Sequence, residues 1–138
     1  MTLTAFLLAR VDEDETVARA ASDGTGRWVQ WGAEVETEDY DDGTVPDGMR
    51  IYNEGGHDPR HAEHIVRWDP ARVLAECATK RAIVALHDQN GLRWTGFPRA
   101  DMQEAYCLHD QMGAPCQTLS TLALPYSDHP DYQQEWKP

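Results

Sequence analysis

The chain has 138 residues, 41% of them hydrophobic, and both values are typical of one globular domain. Acidic residues number 24 against 12 basic residues, giving a net charge of −12, which disfavours binding to a nucleic-acid backbone over a broad surface. No apolar run approaches the ~20 residues of a membrane span, and the run at residues 5–9 is too short for a signal peptide. We therefore expect a cytoplasmic protein whose three cysteines are thiols or metal ligands rather than disulfides.

The first half of the chain predicts one helix followed by a small sheet. Apolar residues recur at helical spacing through residues 2–21, as Leu3, Leu7, Val11, Ala18 and Ala21. Residues 27–53 then combine strand formers with the turn sequences DDG and PDG, which favours an antiparallel hairpin or meander. We expect two acidic stretches, residues 12–15 and 34–42, to be exposed.

The second half predicts mostly helix. Pro59 suits the first turn of a helix, and Asp69 followed by Pro70 is the typical start of the next, so helices are expected within residues 58–87. Residues 88–116, rich in Gly and Pro, are predicted to form a loop, and residues 116–136 the C-terminal helices. The expected fold class is α+β: a mostly helical single domain, residues 1–138, with a small antiparallel hairpin or meander in its first half.

The sequence AYCLHDQMGAPC, residues 105–116, contains candidate metal ligands. Eight residues separate Cys107 from Cys116, and His87 ends a predicted helix on its apolar stripe, so three zinc ligand types can meet. The fourth position is open to Asp110, at i+3 from Cys107, to His109, or to water. The alternative interpretation is a pair of buried thiols beside a histidine that bonds to carbonyls. Cys77 is excluded, since ten helical residues place it about 15 Å from His87.

Three stretches of the chain together resemble a known family. They are LARVDEDETVARAA, EHIVRWDPARVLAECATKRAIVALH and PCQTLSTLALPYSDHPDYQQEWKP. They resemble an uncharacterised family of small actinobacterial and actinophage proteins, domain of unknown function 6221. The resemblance implies one compact domain and no established activity. The family pattern has a histidine closing the long helix, a Cys-x-x-Cys after a loop, and a Pro-Cys opening the last helix. His87, Cys107 and Pro115-Cys116 match it, whereas Asp110 stands in place of the second cysteine.

The sequence is compatible with three functions. The first is a non-enzymatic, zinc-stabilised interaction or regulatory module with one structural zinc ion per chain and an unidentified protein partner. The second is a metal-dependent hydrolase whose open zinc position activates water, with Asp110 or Asp88 as the base. The third is an acidic DNA mimic or anti-defence inhibitor that uses residues 12–15 and 34–42. No phosphate-binding loop, catalytic triad order or dinucleotide fingerprint occurs in the sequence.

Overall fold

The computed structural model describes residues 1–22, 24–38, 50–53, 58–87, 91–94 and 103–138. Four helices and two small antiparallel sheets confirm the α+β fold class. The helices are α1 (Leu3–Ala20), α2 (Pro59–Arg67), α3 (Pro70–Leu86) and α4 (Gln117–Ala123). The strands are β1 (Trp28–Trp31), β2 (Glu34–Thr37), β3 (Arg50–Asn53), β4 (Gly91–Trp94), β5 (Gln103–Cys107) and β6 (Met112–Gly113). Two 3₁₀ turns, Leu124–Tyr126 and Gln134–Trp136, complete the described elements.

The described residues cluster into two compact units. The first unit comprises Met1–Asp12 and Ala78–Pro138, and the second comprises Glu13–Cys77. The assignment of residues 1–138 to one domain stays a prediction. No helix in the described ranges is long and apolar enough to cross a membrane.

The helix starts follow from their capping residues. The Thr2 hydroxyl accepts a hydrogen bond from the Ala5 amide at 3.2 Å at the start of α1. Asp58 caps α2 by accepting from the Arg60 amide at 2.9 Å, with Pro59 as the first helical residue. Asp69 accepts from the Arg72 amide at 2.8 Å, ahead of Pro70 in α3. These side chains satisfy amides that the helix itself leaves free, which confirms the predicted Asp69–Pro70 start.

The sheet of the second unit is the meander expected in the first half of the chain. Strands β1, β2 and β3 pair antiparallel in that order, and Gly32, at φ 62°, lies in the two-residue turn between β1 and β2. Strand β2 is central, and Val35, Glu36 and Thr37 are all buried. The prediction that residues 34–42 are uniformly exposed is therefore wrong at Glu36, although Glu38 is exposed. Residues 39–42 lie outside the described residues.

The predicted loop at residues 88–116 contains a second sheet, so that prediction is wrong. Strands β4, β5 and β6 pair antiparallel, with Leu92 opposite Ala105 and Cys107 opposite Met112. The strands are two to five residues long, too short for a hydrophobic alternation that a sequence pattern would reveal. Residues 88–90 and 95–102 lie outside the described residues.

The core of the first unit forms around Phe6, which is fully buried. The ring centroids of Tyr132 and Trp136 lie 5.9 Å and 5.0 Å from that of Phe6, so the end of the chain is packed against α1. Arg10, also buried, places Nη1 within 2.8 Å of the His129 ring nitrogens. Leu124, in contrast, is 40% exposed and contributes little to this core.

Candidate metal centre

His87 follows directly after the last residue of α3. Its amide still donates to the Ile83 carbonyl at 3.1 Å, so the helical conformation sets the position of its side chain. The residue is 6% exposed, and Val84, one turn earlier, is 3% exposed. The imidazole therefore projects into the interior from a fixed helix end, as the stripe of apolar residues predicted.

Cys107 and Cys116 approach the same place from two other elements. Cys107 is the last residue of β5, and Cys116 is the N-cap residue of α4. Both side chains are fully buried, and neither cysteine forms a disulfide. Their positions at the ends of regular elements fix the sulfur atoms more firmly than a long irregular loop would.

Asp110 reaches the cluster because the chain turns sharply between β5 and β6. Cys107 pairs with Met112 across this turn, and Gln111 adopts a left-handed conformation at φ 54°. The Asp110 amide donates to Cys107 Sγ at 3.4 Å. Such an amide–sulfur bond orients a thiolate and disperses its charge, as outer hydrogen bonds do around bound metals.

The four side chains converge around one ring nitrogen. His87 Nδ1 lies 3.2 Å from Asp110 Oδ1, 3.6 Å from Cys107 Sγ and 3.9 Å from Cys116 Sγ. One ligand atom from each residue lies within 4.8 Å of the others. A single imidazole nitrogen has one proton or one lone pair, so hydrogen bonding does not explain three partners. The group can hold a metal ion.

The three distances from His87 Nδ1 are close to those of a tetrahedral zinc site. With bonds of about 2.3 Å to sulfur and about 2.0–2.1 Å to nitrogen and oxygen, a tetrahedron separates nitrogen from sulfur by about 3.5 Å and nitrogen from oxygen by about 3.3 Å. The observed separations from His87 Nδ1, 3.2 Å to 3.9 Å, are within a few tenths of an ångström of these values. The donor set of one nitrogen, two sulfurs and one oxygen is also within zinc's preferences.

The electrostatics of Asp110 favour its charged form. Partial burial raises the pKa of the carboxyl, but hydrogen bonds from Thr118 and Cys116 and the nearby His87 outweigh this and hold its pKa below the usual value. The Thr118 amide, in the first turn of α4, donates to Asp110 Oδ2 at 3.4 Å. This contact was not predicted from the sequence, although the free amides at the start of a helix favour a nearby acidic side chain.

His109, the rival fourth ligand, lies beside the group rather than in it. Its side chain is 56% exposed, and its Nδ1 is 3.5 Å from Asp110 Oδ1. Its ring packs against the His87 ring with the centroids 4.3 Å apart. The described residues contain one group of three or more potential ligands, and it comprises His87, Cys107, Asp110 and Cys116. Cys77 is not among them, and His61 and His64 are exposed on α2.

A cavity of about 670 Å³ borders the group and was not foreseen from the sequence. Asp110 and Thr118 line it together with Lys80 and Ile83 of α3 and Leu122 of α4. Lys80 Nζ donates to the Tyr126 hydroxyl at 2.7 Å. We call His87, Cys107, Asp110 and Cys116 the metal-ligand group. Asp110 is the member of this group that lines the cavity.

Comparison with known proteins assigns the chain to a family without assigning an activity. No curated protein and no solved structure matches the sequence. One family model, described as a family of unknown function (DUF6221), matches residues 1–138. Because this match covers the whole chain, the protein belongs to the family of unknown function DUF6221.

Proposed function

We propose that the protein is a non-enzymatic module, stabilised by one structural zinc ion, that acts by binding a protein partner. The observation that carries the zinc proposal is the set of three potential ligands, 3.2 Å to 3.9 Å from one imidazole nitrogen in the interior. In this proposal His87, Cys107, Asp110 and Cys116 are the four ligands. That none of the three cysteines forms a disulfide supports a cytoplasmic location, where thiols stay reduced.

Four protein ligands support a structural rather than a catalytic ion. Structural zinc sites are closed by four protein side chains, whereas catalytic sites keep one position for water or substrate. The proposed ion would link the end of α3, the β5–β6 turn and the start of α4. Apparent zinc binding energies in small domains are about 10–16 kcal/mol, enough to hold such short elements together.

The test is metal content in matched cysteine variants, with protein purified without a histidine tag. Cys107→Ser and Cys116→Ser should each lose most of the single zinc per chain and melt at a lower temperature. Cys77→Ser is the matched control, because Cys77 is also buried yet lies outside the group. It should keep its zinc even if the lost packing lowers its stability. Equal zinc content in all three variants would refute the site.

A zinc-dependent hydrolase is the second candidate, and the cavity beside Asp110 is the observation in its favour. In that arrangement His87, Cys107 and Cys116 would hold the ion, which would make a water more acidic, and Asp110 would be the general base. Asp110→Ala separates the two candidates. If Asp110 is the fourth ligand of a closed site, its loss should weaken zinc binding by more than about 100-fold. Even the loss of a residue that only hydrogen-bonds to a ligand lowers metal affinity by about 10–100-fold. A general base would leave zinc affinity nearly unchanged.

A further inference from the structure

The second unit contains an apolar cavity that the metal site does not explain. Its volume is about 300 Å³. It is lined by the second half of α1, the start of β1, the end of α2 and the start of α3, including Glu13, Asp14, Val17, Trp28, Trp68 and Val73. We call these six residues the tryptophan groove. The volume is at the lower end of the range of about 300–1,000 Å³ for small-ligand sites, which suits one or two side chains.

The groove exposes apolar surface to solvent. Val17 is 70% exposed and Trp68 is 43% exposed. Single exposed apolar residues are ordinary on protein surfaces. Here Val17 and Trp68 line one cavity together with Trp28, and such a cluster resembles the centre of a binding surface. Tryptophan is also among the residues that most often dominate binding energy at protein interfaces.

Arg72 holds the Trp68 ring in place before any partner binds. Its guanidinium carbon lies 4.3 Å from the Trp68 ring centroid, and its Nε donates to Glu76 Oε1 at 2.8 Å. The cation–π contact and the ion pair together restrain a half-exposed indole. A restrained side chain loses less conformational entropy on binding, which favours affinity.

The acidic residues of the groove indicate the charge of its partner. Glu13 and Asp14 are carboxylates on the cavity wall, and the chain carries a net charge of −12. Together they attract positive charge and repel an acidic ligand. An apolar cavity beside two carboxylates thus fits a segment in which a bulky apolar residue is next to a basic one.

We propose that the tryptophan groove binds a basic, amphipathic segment of a partner protein. One apolar side chain of the segment enters between Trp28, Trp68 and Val17, and a neighbouring Lys or Arg contacts Glu13 and Asp14. This inference rests on the protein-binding part of the proposed function and not on the zinc ion.

The experiment pans a random 12-residue peptide library on phage against the full-length, metal-replete chain. The enriched peptides are synthesised, and their Kd values are measured by fluorescence anisotropy. We expect the enriched sequences to combine a bulky apolar residue with Lys or Arg. We also expect them to bind less tightly at high salt, which screens exposed charges.

Two groove variants and two matched controls locate the binding site. Val17→Lys should weaken peptide binding by more than about tenfold, because it removes a contact at the centre of the interface. Glu13→Gln should weaken peptide binding by about twofold to fivefold, as expected for the loss of an exposed charge pair. Glu63→Gln, an exposed acid on α2, and Leu124→Ser, an exposed apolar residue, should leave the Kd unchanged. Circular dichroism verifies that each variant is folded. If Val17→Lys is unfolded, the peptide Kd of Glu13→Gln alone tests whether the peptides bind in the groove.

Three results would overturn the inference. They are a failure to enrich any peptide, enriched peptides that bind the groove variants as tightly as the wild type, and enriched peptides without basic residues. Hexylammonium chloride that binds as tightly as the peptides would identify a small-molecule site instead. Zinc content is measured on the same samples, so a zinc-free chain that still binds groove-dependent peptides would refute only the metal proposal.

Discussion

Asp110 enters the metal-ligand group from a tight turn, and its side chain is 19% exposed, whereas both cysteines of the group are fully buried. It occupies the position three residues after Cys107 at which many zinc sites have a second cysteine. A carboxylate is a harder ligand than a thiolate, and zinc in structural sites is held most often by thiolates and imidazoles. In the proposed site, an aspartate ligand would therefore bind zinc more weakly than a third thiolate would.

Asp110→Cys should consequently bind zinc more tightly than the wild type. The backbone already directs the side chain at residue 110 toward His87 Nδ1, and a thiolate there adds a softer ligand. Competition with a chromophoric chelator measures the affinity, and the cobalt-substituted protein should gain sulfur-to-metal charge-transfer absorption. His109→Cys is the control, because His109 lies outside the group. A gain in affinity in the control but not in Asp110→Cys would point to His109 as the fourth ligand.

The burial of Glu36 predicts a sharp contrast between two acids two residues apart in the chain. Glu36 is 8% exposed on the central strand β2, whereas Glu38, after the strand, is exposed. Glu36→Lys should destabilise the protein by roughly 2–4 kcal/mol, since a reversed charge is buried. Glu38→Lys should change stability by less than about 0.5 kcal/mol. Urea denaturation measures both, and equal effects would contradict the assigned register of β2.

At the level of elements, the end of the chain depends on tertiary packing for its structure. Its two 3₁₀ turns, Leu124–Tyr126 and Gln134–Trp136, are too short to be stable in isolation. Tyr132 and Trp136 are buried with rings packed against Phe6. The hydrophobic burial of these rings, rather than helix propensity, holds the segment in place.

Trp136→Ala should therefore lower the free energy of unfolding by about 3–5 kcal/mol, the usual cost of removing a buried aromatic side chain. Leu124→Ala is the matched control on the same segment, because Leu124 is 40% exposed. It should cost less than about 1 kcal/mol. Thermal and urea unfolding measure both variants. Similar losses would mean that the tail does not pack as described.

Removal of the metal should act on particular elements. The proposed ion holds the β5–β6 turn, so chelation should speed amide hydrogen exchange there by at least about tenfold, a change in opening free energy of about 1.4 kcal/mol. The Asp110 amide, bonded to Cys107 Sγ, is the most direct reporter. The Val29 and Glu36 amides, which belong to one residue pair between β1 and β2 in the sheet of the second unit, serve as internal controls. Uniform acceleration throughout both units would contradict a local role for the ion.

For the molecule as a whole, the net charge of −12 opposes the compact state by self-repulsion. Sodium chloride at about 0.3 M should raise Tm by a few degrees relative to low salt, because it screens this repulsion. Replacing Glu38, Asp128 and Glu135, all exposed, with lysine should leave the fold intact and reduce the salt effect. A Tm that falls with salt would show that attractive ion pairs outweigh the repulsion.

The parts of the fold that the sequence predicted are those with strong local signals. Helix α3 has Asp69 and Pro70 at its start and a regular apolar stripe, and His87 lies at its end. Residue type, the spacing of Cys107 and Cys116 and the helix-end position of His87 indicated three members of the metal-ligand group, and Asp110 was one of the options for the fourth. Strands β4–β6 were missed because each is short and is defined by pairing with another strand. That Asp110 rather than His109 lies in the metal-ligand group was likewise not predictable, since it depends on the turn that contains Gln111.

X-ray absorption at the zinc edge, on protein purified without a histidine tag, tests the central claim most directly. The account predicts one zinc per chain with two sulfur ligands at about 2.3 Å and two nitrogen or oxygen ligands at about 2.0–2.1 Å. In Asp110→Cys the number of sulfur ligands should rise from two to three, as expected if residue 110 and not water supplies the fourth ligand. Zinc with fewer than two sulfurs, or a metal-free protein of equal stability, would contradict the four-residue site. A zinc ion that keeps only two sulfurs in Asp110→Cys would contradict the closed site and favour the hydrolase.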